Sequence, residues 1–276
     1  MSKLLRLLAP AKVNLVLLVL GKRPDGYHEI FTLMQKINLY DVLYLEKTSK
    51  GVILTTDTSE LACDETNLVY KAAKYFLEAL NQPAGVKIHL KKHIPIAAGL
   101  GGGSSDAATT LMGLNQLFDH PLPKEKLIEI GADIGSDVPF FFYAGAGIAT
   151  GRGEIVRPLS FPLPFWYVIV IPPVKVSTKW AYTQVRLTRK RIQTKINKPD
   201  EILELLVNDL EPGVIESFKE IEEAKRLLQK AGGQYILLSG SGASVFALCR
   251  DKKEALEVKK RLKLPSGWKV FLSKGL

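Results

Sequence analysis

Val13, Leu15, Leu17 and Val19 alternate with their neighbours, the two-residue period of a strand. Leu33 to Leu39 and Val42 to Glu46 read the same way, and Val52 to Thr55 follows. The turn residues Pro24-Asp25-Gly26 separate the first runs. From Asn67 to Leu80 the period changes. Leu68, Ala72, Tyr75/Phe76 and Leu80 fall near helical spacing. Val86 to Leu90 returns to alternation. A glycine-rich stretch then leads into a helix predicted over Ser104 to Phe118, and another begins near Pro123-Lys124-Glu125. Strands are expected between residues 137 and 171, notably Trp166 to Ile171.

Beyond Pro172-Pro173 the pattern predicts helices over Asp200 to Val207 and Glu216 to Ala231. Strands follow over Tyr235 to Leu238 and Ser244 to Leu248, a helix over Lys252 to Leu262, and a closing strand over Trp268 to Leu272. Both halves mix helices with sheets built partly from adjacent hairpins. The expected class is α+β, in two domains, 1–164 and 165–276, with a cleft between them.

Composition adds limits. Hydrophobic residues make up 46% of 276, enough for a sizeable core. No apolar run approaches the ~18 residues of a membrane span, and the N-terminus lacks the features of a signal peptide. Two cysteines, Cys63 and Cys249, argue against a disulfide framework or a cysteine zinc site. A reducing cytoplasm is the expected compartment. The net charge of +10 fits either a lysine-rich soluble surface or attraction to polyanions. Of two basic stretches, Arg250 to Lys263 interleaves acids at helical spacing and reads as a solvated helix face. Arg186 to Lys198 has neither acids nor aromatics and reads as a surface loop.

The strongest chemical signal is Pro95-Ile96-Ala97-Ala98-Gly99-Leu100-Gly101-Gly102-Gly103-Ser104-Ser105-Asp106. Four glycines stand in five positions between an expected strand and an expected helix. Without Cβ atoms the backbone can approach a ligand closely, and successive N–H groups can cradle phosphate at a helix N-terminus. Ser104 and Ser105 can cap that helix or offer hydroxyls to phosphate or Mg²⁺. A glycine run alone would equally make a flexible linker. No Gly-Lys-Ser/Thr ends it, so it is not a Walker A loop.

Asp137, in Gly135-Ser136-Asp137-Val138-Pro139, precedes an apolar run expected to be a strand. It can accept a hydroxyl proton, ligate Mg²⁺, or simply close a turn. Lys12 and Asn14 share one face of a strand in Ala9-Pro10-Ala11-Lys12-Val13-Asn14. A lysine there is costly unless paired or at an edge. Leu238-Ser239-Gly240-Ser241-Gly242-Ala243-Ser244 can be a hairpin or a second anion nest.

Together these segments resemble the GHMP kinase superfamily, whose three motifs appear here in order at 10–14, 95–108 and 238–244. Gly21 to Ile30 and Gly135 to Phe140 look like the branch that phosphorylates a methylerythritol carried on cytidine diphosphate, on the non-mevalonate route to isoprenoid precursors. The resemblance implies an N-terminal ribosomal-protein-like domain with a left-handed βαβ crossover and a C-terminal ferredoxin-like domain. It implies ATP as phosphoryl donor, Mg²⁺, and transfer to the 2-hydroxyl of the acceptor. By position it makes Asp137 the base and Lys12 its cationic partner, gives Pro95 to Ser105 the ATP phosphates, and places Asn67 at the nucleotide. Tyr27 and His28 belong to a cytidine pocket, with Tyr182 on the other face of the base. Asn14 and Thr178 hold the methylerythritol end. Position 106 is Asn in some relatives and Asp106 here, an added acid near phosphate.

Two other readings remain open on sequence alone. One is a GHMP kinase for mevalonate or homoserine. The other is a basic, non-catalytic RNA-binding protein, although no aromatic RNA-reading motif is present. The expected partners are small molecules, with no nucleic acid or membrane. Oligomeric state and metal ligands are not legible.

Overall fold

The structure, a computed structural model, describes residues 4–80, 82–185, 196 and 198–276. Most of the basic stretch Arg186 to Lys198 lies outside them. Along the chain run β1 (Leu5–Lys22), β2 (His28–Thr48), β3 (Gly51–Thr56), α1 (Leu68–Ala79), β4 (Gly85–Lys91), α2 (Gly102–Leu117) and α3 (Lys124–Ile134). A short 3₁₀ turn (Pro139–Phe142) precedes β5 (Ala146–Gly151), β6 (Ile155–Pro158), β7 (Trp166–Ile171), α4 (Thr178–Thr183) and α5 (Asp200–Leu205). Then come β8 (Val207–Asn208), α6 (Glu211–Ser217), α7 (Lys219–Lys230), β9 (Tyr235–Leu238), β10 (Val245–Cys249), α8 (Lys252–Arg261) and β11 (Lys269–Lys274). The class is α+β.

The chain forms two compact units that interleave in sequence. The first runs up to Ala11 and includes Leu39–Ile96 and Gly101–Tyr143; the second takes Lys12–Asn38, Ala97–Leu100 and Ala144–Leu276. In the first unit, β3 and β4 lie parallel, joined through α1, and the Val42–Thr48 end of β2 runs antiparallel to β4. Leu43, Leu45, Ile88 and Leu90 from this sheet are buried, as are Val69, Ala72 and Phe76 of α1. α2 is buried from Ser105 to Leu111, the pattern of a helix inside a core rather than on its surface. Its mid-helix Gly113 has a steric reason: a Cβ there would lie 2.2 Å from Leu7 Cδ1.

In the second unit, Val13 to Val19 are all buried. The alternation read from the sequence is thus a strand covered on both faces. β1 neighbours β2 and pairs in parallel with β8, while the Ile30–Gln35 part of β2 pairs antiparallel with β5. A separate sheet has the order β11-β7-β10-β9, all antiparallel. That is the fourth, first, third and second strand of a β-α-β-β-α-β series, the ferredoxin-like order. Ile221, Ala224 and Leu228 of α7 and Ala255 and Val258 of α8 share a core with Val168, Val170, Val245 and Ala247.

Four expectations about elements are corrected. α2 starts at Gly102, two residues before Ser104, because Gly101 takes the cap in the left-handed region (φ 69°) and no side chain caps it. Phe140 to Phe142 form the 3₁₀ turn rather than a strand, since Pro139 cannot donate to a ladder. The helix expected over Glu216 to Ala231 is two, broken at Phe218, which is extended at φ −126°. The helix from Asp200 stops at Leu205, and Val207 joins the sheet through Val16.

Candidate active site

In the second unit, β1 brings Lys12 and Asn14 to one face, as the two-residue period requires. Lys12 is only 3% exposed, and its ammonium donates to Asn14 Oδ1 at 2.5 Å. Asn14 Nδ2 donates to Thr32 Oγ1 at 2.9 Å. The Asn14 amide expected to face the substrate therefore has protein partners on both atoms.

The middle of the glycine-rich loop is fixed from three sides in this unit. Lys12 N donates to Leu100 O at 2.9 Å, Ser244 N to Ala98 O at 3.1 Å, and Ser239 Oγ to Gly99 O at 3.0 Å. Ala97 sits at φ 54° and Gly99 at φ 74°, a region costly for residues with a Cβ. The loop is a built bend rather than a linker.

Leu238–Ser244 connects β9 to β10 and is itself held by Asn208, a residue that the sequence reading missed. Asn208 Nδ2 donates to Leu238 O at 2.8 Å and Gly240 O at 2.7 Å, and its Oδ1 accepts from Leu210 N at 2.9 Å. Asn14 N donates to Ser239 Oγ at 3.3 Å. Thr178, first residue of α4, has its hydroxyl 2.9 Å from that of Ser241. The two glycine motifs and the Lys12 strand thus share one hydrogen-bonded cluster.

The turn carrying Tyr27 and His28 lies in the same unit. Arg23 bonds Glu29 at 2.7 Å and Asp25 at 3.1 Å, and Glu29 Oε1 accepts from Gly151 N. Tyr27 is half exposed, with the Arg152 guanidinium 4.9 Å from its ring centre, a cation–π contact. His28 stacks on Tyr182, ring centres 5.1 Å apart and planes 24° from parallel. Burial, helped by the charge of Lys22, pulls the His28 imidazole below its ordinary value, so it is neutral at neutral pH.

In the first unit, Pro95 and Ile96 lead out of β4, and Gly101–Ser105 open α2. Asn67 caps α1: its Oδ1 accepts from Val69 N at 2.9 Å and its Nδ2 donates to Ala62 O at 2.8 Å. Asp137 stands in the turn closed by Val138 N donating to Gly135 O at 3.0 Å, just before the 3₁₀ turn.

Behind the start of α2 is a buried charge cluster that the sequence reading also missed. Lys92 Nζ bonds Asp41 and lies 2.7 Å from Asp106 Oδ2. Asp41 Oδ1 also accepts from His93 N and Ile94 N, at 2.6 and 2.9 Å. Burial pushes the Asp106 carboxyl up to about 8 against the pull of Lys92, and Asp41 adds to the rise. Burial alone would lower the Lys92 ammonium, but Asp106 and Asp41 outweigh it and raise it. In the sequence, Lys91-Lys92 looks like ordinary strand-end charge and Tyr40-Asp41 like a turn.

Two oxygens beside this cluster, Ser105 Oγ and Asp106 Oδ1, are buried with no hydrogen-bond partner among the described residues. They are hard donors of the kind Mg²⁺ takes. Among the described residues no group of three His, Cys, Asp or Glu could hold a metal. Mg²⁺ carried on phosphates needs only one or two protein oxygens, so the residues fit.

Comparison with known proteins identifies the family. Residues 67–145 match the profile of the GHMP kinases N terminal domain and residues 192–265 that of the GHMP kinases C terminal region. A Syntrophotalea carbinolica protein named 4-diphosphocytidyl-2-C-methyl-D-erythritol kinase is 42% identical over 269 residues, 96% of each chain. One of the same name from Thermodesulfovibrio yellowstonii is 43% identical over 272 residues, 94% of this chain and 93% of its own. A crystal structure of 4-(cytidine 5'-diphospho)-2C-methyl-D-erythritol kinase superposes with a TM-score of 0.77 at 34% identity, covering 99% of this chain and all of that one. Homoserine kinase from Cytophaga hutchinsonii, at 21% identity and TM-score 0.76, shares the fold. On sequence and structure alike, the chain belongs to the 4-diphosphocytidyl-2-C-methyl-D-erythritol kinase family of GHMP kinases.

Proposed function

We propose that this protein transfers the γ-phosphoryl group of ATP to the 2-hydroxyl of 4-diphosphocytidyl-2-C-methyl-D-erythritol. The observation that carries the reading is the glycine loop itself, bent by Ala97 and Gly99 and hydrogen-bonded at Leu100 to the backbone of buried Lys12.

In the reaction, the acceptor oxygen bonds the γ-phosphorus, the bond to the β-phosphate oxygen breaks, and ADP leaves. Positioning and charge neutralisation supply most of such a rate. Backbone N–H groups from Ile96 onward in the Pro95–Ser105 loop hold the phosphates, helped by the positive end of α2. Asp137 takes the proton of the acceptor hydroxyl. Lys12 supplies positive charge for the transferring group. Mg²⁺, held through Ser105 and Asp106, would neutralise part of the triphosphate charge.

Tyr27, His28 and Tyr182 receive the cytosine, with the neutral His28 able to donate from one ring nitrogen and accept at the other. Thr178 and Asn14 serve the methylerythritol end, and Asn67 the nucleotide. The family profiles, ending at 145 and resuming at 192, support a division into domains 1–164 and 165–276. Among the described residues no helix is long and apolar enough to cross a membrane. We assign the protein to the cytoplasm, acting on small molecules without a nucleic-acid partner.

The test is ATP consumption by purified protein with Mg²⁺ and 4-diphosphocytidyl-2-C-methyl-D-erythritol, beside Asp137→Ala. Turnover that requires the cytidine substrate and falls at least about a hundred-fold in the variant is expected. Turnover with mevalonate or homoserine instead would discard the cytidine pocket.

A further inference from the structure

Thr32, in β2, is 1% exposed. Its hydroxyl lies 2.7 Å from Val16 O and 2.9 Å from Asn14 Nδ2. A threonine hydroxyl has one proton, and a carbonyl oxygen can only accept. The proton is therefore committed to Val16, and toward Asn14 the hydroxyl is an acceptor. That fixes the amide: its NH₂ faces Thr32, and its oxygen faces Lys12 Nζ 2.5 Å away.

The opposite orientation would set the amide NH₂ against an ammonium, donor against donor. It would also leave the amide oxygen facing a hydroxyl with no proton to give. All three side chains are at most 3% exposed, so water offers little compensation. The polarity of the chain thus runs one way, from Lys12 through Asn14 and Thr32 to the Val16 carbonyl. A lysine on a four-carbon stem has many rotamers, and this chain selects one.

We propose that Thr32 is a positioning residue for phosphoryl transfer, holding the Asn14 amide in the one orientation that lets its oxygen fix the Lys12 ammonium. This rests on the role given to Lys12 above.

Thr32→Val keeps the shape and removes the acceptor, whereas Thr32→Ser keeps the hydroxyl. Thr32→Val should lower kcat about ten-fold or more, the factor that loss of one buried hydrogen bond carries, with the KM for ATP unchanged. Thr32→Ser should stay within about three-fold of wild type, because the bond is retained. In a Lys12→Met background, Thr32→Val should cost nothing further, since residues acting as one unit are not additive. If Thr32→Val does not fold, Thr32→Ala is read in its place, with the same pattern expected.

An unchanged kcat in Thr32→Val, failure of the serine variant to restore it, or an undiminished loss in the Lys12→Met background would overturn the proposal alone. Wild-type protein without turnover, or Lys12→Met with full turnover, would overturn the reading of Lys12 and this proposal with it.

Discussion

Ser239 Oγ donates to the carbonyl of Gly99 at 3.0 Å, and a Cβ added to Gly99 would lie 2.0 Å from the carbonyl oxygen of Ser239. Gly99 is also at φ 74°. Alanine at 99 therefore meets two penalties at once. The left-handed backbone costs about 1–2 kcal/mol, and the overlap is with backbone, which cannot turn aside as a side chain could. Gly99→Ala should displace the loop, raise the KM for ATP at least about ten-fold, and lower the melting temperature. Steady-state kinetics with ATP varied would check it; wild-type values would contradict the close approach.

Lys92 sits between Asp41 and Asp106, each nearly inaccessible. Lys92→Met leaves the Asp41 carboxylate buried beside the Asp106 carboxyl without a counter-charge. Breaking a buried ion pair from one side costs about 3–5 kcal/mol, so this variant should unfold well below wild type. Asp106→Asn removes the carboxyl that burial already raises and leaves one lysine facing one aspartate. It should be much the milder change. Thermal unfolding of the two variants would check the order, and a Lys92→Met protein as stable as Asp106→Asn would contradict it.

His28 is held below the usual histidine range by burial and by Lys22. The neutral ring is thus the form that the fold favours. An unfolded chain takes up a proton near 6.5, whereas the folded His28 resists until lower pH. Its contribution to stability is whole above 6.5 and declines as pH falls toward the folded value. The KM for the cytidine substrate should likewise hold steady at neutral pH and above and rise only on the acid side, while the KM for ATP does not follow. His28→Gln should flatten the profile. Both Michaelis constants measured from about pH 5 to 8 would show this, and a parallel rise in the two would exclude His28 as the cause.

Much of the site was legible because its parts are local. The glycine-rich loop announces itself by glycines that a bend with positive φ requires, and Lys12 with Asn14 by a polar pair at strand spacing. What the sequence could not show were partners distant along the chain. Thr32 looks like any strand threonine, and only the fold reveals that its hydroxyl orients Asn14. Lys92 looks like a strand-end charge and Asp41 like a turn residue until burial makes them a pair. Ser104 and Ser105 fit a capping pattern, yet Gly101 starts the helix earlier and leaves Ser105 inside it. The strand expected at Phe140 to Phe142 failed because apolar runs do not report period, and Pro139 decides for the 3₁₀ turn.

Asn208 is the least legible residue and the most sharply testable. Its amide NH₂ gives both protons to backbone carbonyls, those of Leu238 and Gly240, and so sets the loop that carries Ser239. Asn208→Ala leaves both carbonyls short of a donor, at about 1–3 kcal/mol for each buried unpaired group. Asn208→Asp is nearly isosteric but sets a carboxylate against the same two oxygens. Of the two, the aspartate variant should be the less stable at neutral pH. A protonated aspartate regains one donor, so the fold favours its acid form and lifts its pKa above the unfolded value of about 3.9. Stability of that variant, relative to wild type, should then improve as pH is lowered from about 8 toward 5. Asn208→Ala, with nothing to titrate, should show no such trend. Chemical denaturation of the three proteins at both ends of that range would decide it, and an aspartate variant insensitive to pH would mean that the side chain does not face the two carbonyls.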